Sequence, residues 1–128
     1  MSKVDLDFIG VGPQRTGTTW LDEVLRQHPS LCLPEQVKET MFFDRRYDRG
    51  LEWYVQYFDK CDGDHLCGEI APTYFDAPEV PERIHEVASC CKIIISLRHP
   101  AERAFSLYLH HLRKGRVSRP FRNAIEQK

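Results

Sequence analysis

The spacing of apolar and polar positions changes several times along the chain, and each change marks an element. Phe8 to Val11 is a short apolar run that stops at Gly12 and Pro13, the pattern of a buried strand entering a loop. From Thr18 the period becomes helical: Trp20, Leu21, Val24 and Leu25 share one face, and Asp22, Glu23, Arg26 and Gln27 the other. Leu31 to Leu33 predicts a second short strand, Glu52 to Tyr57 an aromatic helix, and Leu66 to Ile70 a third strand. Pro81 with Ile84, Val87 and Ala88 predicts a helix with proline in its first turn. Ile93 to Leu97 is the clearest strand, a continuous apolar run of the kind found in parallel sheets covered on both faces. After Pro100, residues Ala101, Ala104, Phe105, Tyr108 and Leu112 recur at helical spacing, and Val117 to Lys128 reads as the start of a further helix. Strands alternating with helices predict an α/β fold with a mainly parallel sheet.

Composition narrows this picture. The 128 residues, with 41% hydrophobic and 29% charged content, suit a single domain, residues 1–128, built on one core. Eighteen basic against nineteen acidic residues leave a net charge of −1, which gives no electrostatic case for nucleic acid or an anionic membrane. No apolar run approaches the roughly 18 residues of a membrane span. Met1 to Asp7 lacks the apolar stretch of a secretory signal. The five cysteines are odd in number, and the adjacent Cys90 and Cys91 fit no disulfide framework, so cysteine usage predicts a reducing, cytoplasmic setting. Cys61, His65 and Cys67 are the one candidate for metal ligation. No second paired cluster follows them at zinc-site spacing, so they are expected to be loop residues, with no metal.

Ligands of such sheets sit beyond the carboxyl ends of the strands, which directs attention to the two strand-to-helix loops. The first runs from Gly12 to Thr19. Its glycines are four residues apart, as in a Walker phosphate loop, and Thr19 holds that motif's Ser/Thr position. Thr18 stands where the Walker lysine belongs, and Arg15 supplies the cation from inside the loop. Converging backbone N–H groups, the helix N-terminus, hydroxyls and Arg15 together suit a phosphate or sulfate. The second apolar strand ends at Arg98, where a magnesium-dependent nucleotide hydrolase would carry Asp. Arg98 and Ser106, on the following helix, suit a second anionic group.

These residues carry a resemblance. Phe8 to Leu21, His28-Pro29, Lys38 to Asp44 (KETMFFD), Trp53-Tyr54, Gly68 to Phe75 (GEIAPTYF) and Leu97 to Ser106 (LRHPAERAFS) occur in an order and spacing that resembles the sulfotransferase family. The likeness is to the branch with the heparan sulfate sulfotransferases and their bacterial relatives, and it extends from about Phe8 to Gly115. It implies a three-layer α/β/α fold of the P-loop-containing nucleotide hydrolase-like type. It also implies 3′-phosphoadenosine 5′-phosphosulfate (PAPS) as donor without a metal, and a small-molecule or carbohydrate acceptor with a hydroxyl or amine. By the same resemblance Gln14, Arg15, Thr16, Gly17, Thr18, Thr19 and Trp20 hold the donor's 5′-phosphosulfate, and Arg98 with Ser106 grips its 3′-phosphate. Arg15, at a position where relatives usually carry Lys, stabilises charge on the transferring group. Glu39 is the catalytic base that takes the acceptor's proton. Lys38 is expected to lower the pKa of Glu39 or to steer an anionic substrate. His28 and His99 are the competing bases, with a capping role expected for His28. Glu69 to Tyr74 is expected to line the acceptor side of the cleft, with packing as the alternative for Pro72 and Phe75.

Catalytic domains of the family are usually about twice this length, so the chain reads as its N-terminal portion, incomplete beyond Lys128. The alternatives are a noncatalytic or truncated PAPS-binding domain and, disfavoured by Thr18 and Arg98, a P-loop kinase or hydrolase.

Overall fold

Four short runs rich in apolar residues pair into one parallel sheet in the computed structural model, which describes residues 5–126. The strands are β1 (Leu6–Gly12), β2 (Leu31–Cys32), β3 (Leu66–Ile70) and β4 (Lys92–Ile95), in the order β2-β3-β1-β4. Ile9 pairs with Glu69 on one side and Ile93 on the other. The chain thus builds outward from β1 in both directions, and the loop after β1 lies where the strand order reverses, the usual ligand position of such sheets.

The residues divide after Ser96 into two compact units. In the first, strand alternation feeds two cores on opposite faces of the sheet. Phe8 and Ile70 face Leu33, with Leu21 and Leu25 of helix α1 (Thr18–Arg26) against them. Leu6, Ile9, Val11 and Cys67 face a larger cluster from helices α2 (Phe42–Arg45), α3 (Leu51–Val55) and α4 (Val80–Val87). Within it Phe42 stacks on Tyr54 at 4.5 Å, and Phe43 meets Tyr54 and Tyr74 edge-on. Helix, sheet and helix form three layers, as expected. Gly68 is required by this packing, because a Cβ there would strike the Phe8 carbonyl oxygen across the β1–β3 pair.

The second unit contains α5 (Pro100–Arg113) and α6 (Phe121–Ile125). Phe121 packs against Phe105 and Tyr108, each at 5.2 Å, and the Tyr108 hydroxyl donates to the Arg119 carbonyl. No helix among the described residues is long and apolar enough to cross a membrane.

Three expectations are corrected. On α1 only Leu21 and Leu25 enter the core; Trp20 is 67% exposed, while Asp22, assigned to the polar face, is buried. Arg26 makes that burial tolerable by pairing with Asp22 one turn away. β4 is not covered on both faces: it lies at the sheet edge, and Ile93, Ile94 and Ile95 stay partly exposed. Ile93 and Ile95 instead line an apolar cavity of about 350 Å³ with Val11, Val80 and Ile84. Finally, Cys32 and Cys61 form a disulfide, which the odd cysteine count had argued against. Cys67, beside Cys32 in the neighbouring strand, is a buried free thiol.

Candidate functional site

At the end of β1 the backbone must curl before α1 can start. Gly12 has φ +95 and sits so close to Pro72 that a Cβ would lie 2.6 Å from its Cα, so only glycine fits. Arg15 (φ 65) and Gly17 (φ 84) are also left-handed. Left-handed backbone at a non-glycine residue costs roughly 1 kcal/mol or more and gathers at ligand sites. Thr16 Oγ1 donates to the Pro13 carbonyl at 2.6 Å, closing the loop on itself, and lies 2.8 Å from Ser96 Oγ, which ties the loop to the end of β4. Gly17 caps α1 without a side-chain hydrogen bond, and no acidic residue occupies the first turn. The helix therefore opens with N–H groups that no capping side chain satisfies, beside the exposed Arg15, Thr19 and Trp20 and the buried Thr18.

A second loop, from Leu33 to Met41, carries Glu39 and is clamped at both ends. Arg26 projects from the last turn of α1; its Nη1 donates to the Pro34 carbonyl at 2.7 Å, and its Nη2 to those of Val37 and Lys38 at 3.0 and 3.2 Å. Its Nε is held by Asp22 at 2.8 Å. At the far end Thr40 donates its N–H to Glu69 Oε2 at 3.0 Å and its hydroxyl to the same carboxylate at 3.1 Å. Glu69 also accepts from Tyr54 OH at 3.1 Å and Tyr74 OH at 2.7 Å. Gln36 (φ 64) and Met41 (φ 56) are left-handed on either side of the Lys38-Glu39 pair.

Between the clamps Glu39 is half-buried, and its Oε2 has no hydrogen-bond partner. Burial raises its pKa above the ordinary 4.5; Lys38 opposes the rise, Asp44 adds to it, Arg45 opposes it and Asp22 adds to it. Burial and an oxygen without a partner both favour the protonated form, so this carboxylate takes up a proton more readily than an ordinary one. Lys38 does not bond to this oxygen. Its Nζ donates to Thr19 Oγ1 at 3.1 Å, at the phosphate loop.

Within the stretch from Glu69 to Tyr74, Tyr74 lines the apolar cavity beside β4, whereas Glu69 and Pro72 lie inside the packing. Glu69 has no exposed surface, Pro72 lies buried under Gly12, and Tyr74 is 2% exposed. Burial raises the Glu69 pKa, and the bonds from Thr40, Tyr74 and Tyr54 oppose that rise. Phe75, the next residue, is exposed and lines the same cavity as Tyr74. The roles of Arg26 and Glu69 were not anticipated. The readable signal was an acidic residue at a strand position facing the apolar core, where only a satisfied carboxylate is tolerated.

In the second unit Arg98 is exposed just before α5, with Nε 3.9 Å from Glu102, and Ser106 is half-buried on α5. His99 is the exposed N-cap residue of α5. His28 Nδ1 accepts from the Ser30 N–H at 3.2 Å, which gives it a local turn role. His65 Nδ1 lies 2.6 Å from Asp62. The sulfur atoms that gather are those of Cys32, Cys61 and Cys67, within 4.8 Å of one another, rather than the Cys61-His65-Cys67 set.

Comparison with known proteins gives a consistent result. Residues 5–127 match the family model described as a sulfotransferase domain. A membrane-associated sulfotransferase, kil1, of Dictyostelium discoideum is 34% identical over 105 residues, which cover 80% of this chain and 22% of that protein. The human bifunctional heparan sulfate N-deacetylase/N-sulfotransferase 3 is 38% identical over 111 residues, covering 80% and 13%. The crystal structure of a sulfotransferase from Alicyclobacillus acidocaldarius superposes with a TM-score of 0.81 at 31% identity, covering 91% of this chain and 54% of that one. The chain thus spans about half of the solved relative and less than a quarter of these curated ones.

Proposed function

Because this chain belongs to the sulfotransferase domain family, we propose that it transfers a sulfuryl group from PAPS to a hydroxyl or amine, with Glu39 as the general base. The observation that carries the reading is the buried Oε2 of half-buried Glu39, without a hydrogen-bond partner, on a loop fastened to the helix that begins at the phosphate loop. The residues present fit an anionic donor: α1 starts uncapped and without acidic residues, Arg15 stands beside it, and a Cβ at Gly17 would meet only open space. When bound, the donor supplies the sulfuryl group. Arg15, Thr18, Thr19 and the first N–H groups of α1 hold its 5′ anionic end, with Gln14, Thr16, Gly17 and Trp20 completing the loop. Arg98 and Ser106 are assigned to its 3′-phosphate. Glu39 receives the proton that the acceptor loses, which makes a neutral hydroxyl or amine nucleophilic. The relatives named as heparan sulfate N-sulfotransferases support a carbohydrate acceptor.

Transfer of radiolabelled sulfate by the parent chain and by Glu39→Gln tests this directly. The variant should lose about 100-fold or more in kcat; equal activity would remove Glu39 from the mechanism. Titration with 3′-phosphoadenosine 5′-phosphate, with and without magnesium, should show metal-independent binding that Arg98→Ala abolishes. A preference for magnesium-ATP would overturn the donor assignment.

A further inference from the structure

The phosphate loop has Thr18 where a Walker loop carries its lysine, yet an ammonium reaches it from another element. Lys38 Nζ donates to Thr19 Oγ1 at 3.1 Å, in the first turn of α1. A cation here is placed against the positive end of the helix dipole, no acidic residue stands in that turn, and the carboxylate its charge reaches is that of the adjacent Glu39. A bond from an exposed ammonium to a neutral hydroxyl does not by itself repay that position. An anion held between Lys38, Thr19 and the helix N-terminus does repay it. The backbone commits Lys38 to this place: Arg26 holds its carbonyl, Glu69 holds Thr40 two residues on, and Gln36 and Met41 bend the segment through left-handed conformations. Lys38 is directed to Thr19, while the Oε2 of the adjacent Glu39 is left without a hydrogen-bond partner.

We propose that Lys38 is a donor-binding residue whose ammonium, with Thr19 Oγ1, contacts the anionic 5′ end of the sulfuryl donor and so adds a second cation to the one that Arg15 supplies from within the loop. This assigns Lys38 neither to the acceptor nor chiefly to tuning Glu39, and it rests on the donor reading above.

Calorimetric binding of PAPS and of adenosine 3′-monophosphate, which has no 5′ anion, tests the assignment. All proteins carry Glu39→Gln, so that the neighbouring carboxylate cannot transmit the effect. Adding Lys38→Met should weaken PAPS binding roughly 10- to 100-fold and leave adenosine 3′-monophosphate unchanged. Lys38→Arg should restore PAPS binding to within about threefold, because the charge is kept. Unaltered PAPS binding in Lys38→Met, or an equal loss for both nucleotides, would overturn the assignment of Lys38 alone. Failure of the Glu39→Gln protein with Lys38 intact to bind PAPS at all would overturn the donor reading, and this proposal with it.

Discussion

Glu69 and Glu39 are carboxylates thirty residues apart in sequence that share one small region, and their surroundings give them opposite tasks. Glu69 has four donors pointed at it, from the Thr40 N–H and the hydroxyls of Thr40, Tyr54 and Tyr74, so its acceptor capacity is spent inside the protein. Glu39 keeps an oxygen without a hydrogen-bond partner. Removing Glu69 strands several buried donors at once, so Glu69→Ala should cost about 3–5 kcal/mol in urea unfolding. A loss below about 1 kcal/mol would mean that the network is not what holds Thr40. For Glu39 the sign of the pH effect follows from its raised pKa. The proposed base acts in its ionised form, so kcat/KM should fall on the acid side with a midpoint above the ordinary 4.5. Lys38 is the charge that lowers this pKa most, so Lys38→Met should move the midpoint to higher pH. A pH–rate profile of both proteins checks the direction.

At the scale of elements, α1 joins the two loops. Its first turn receives the loop that follows β1, and its last turn carries Arg26, whose guanidinium reaches three carbonyls of the Glu39 loop while held by Asp22. A planar, five-donor fork can satisfy that geometry and an ammonium cannot. Arg26→Lys should therefore behave like Arg26→Ala: about 2 kcal/mol less stable, with kcat reduced more than donor affinity. Preserved kcat in either variant would show that the clamp does not position Glu39. The other junction of this kind is Gly12, where the strand passes against Pro72 with positive φ. Gly12→Ala should destabilise the protein by about 2–4 kcal/mol, measured by thermal unfolding.

For the molecule as a whole, the Cys32–Cys61 disulfide closes a loop over a sequence separation of 29 and fastens the shortest strand, β2, to the segment that leads into β3. Chain-entropy reasoning gives such a loop about 3–4 kcal/mol, so reduction, or Cys61→Ser, should lower the midpoint of urea unfolding, and the unfolding free energy derived from it by that amount. An unchanged midpoint would mean that the bridge does not constrain the unfolded chain. Periodicity alone determined the β1-loop-α1 unit, the strands β3 and β4 and the helix after Pro100, because local spacing dictates which residues become strand or helix. The chain order Gly12 to Thr19, Lys38 to Asp44 and Leu97 to Ser106 also determined the family, since the loop chemistry is written in consecutive residues. Tertiary structure alone decided that Asp22 is buried and Trp20 is not, that Cys32 finds Cys61, that Glu69 anchors Thr40, and that Lys38 bonds to Thr19. Each of these depends on partners 4 to 29 residues away meeting across the sheet, the helix or the loops. Hydrophobic spacing reports how much a position is buried on average, whereas the identity of its polar partner is fixed only when separate segments are packed together.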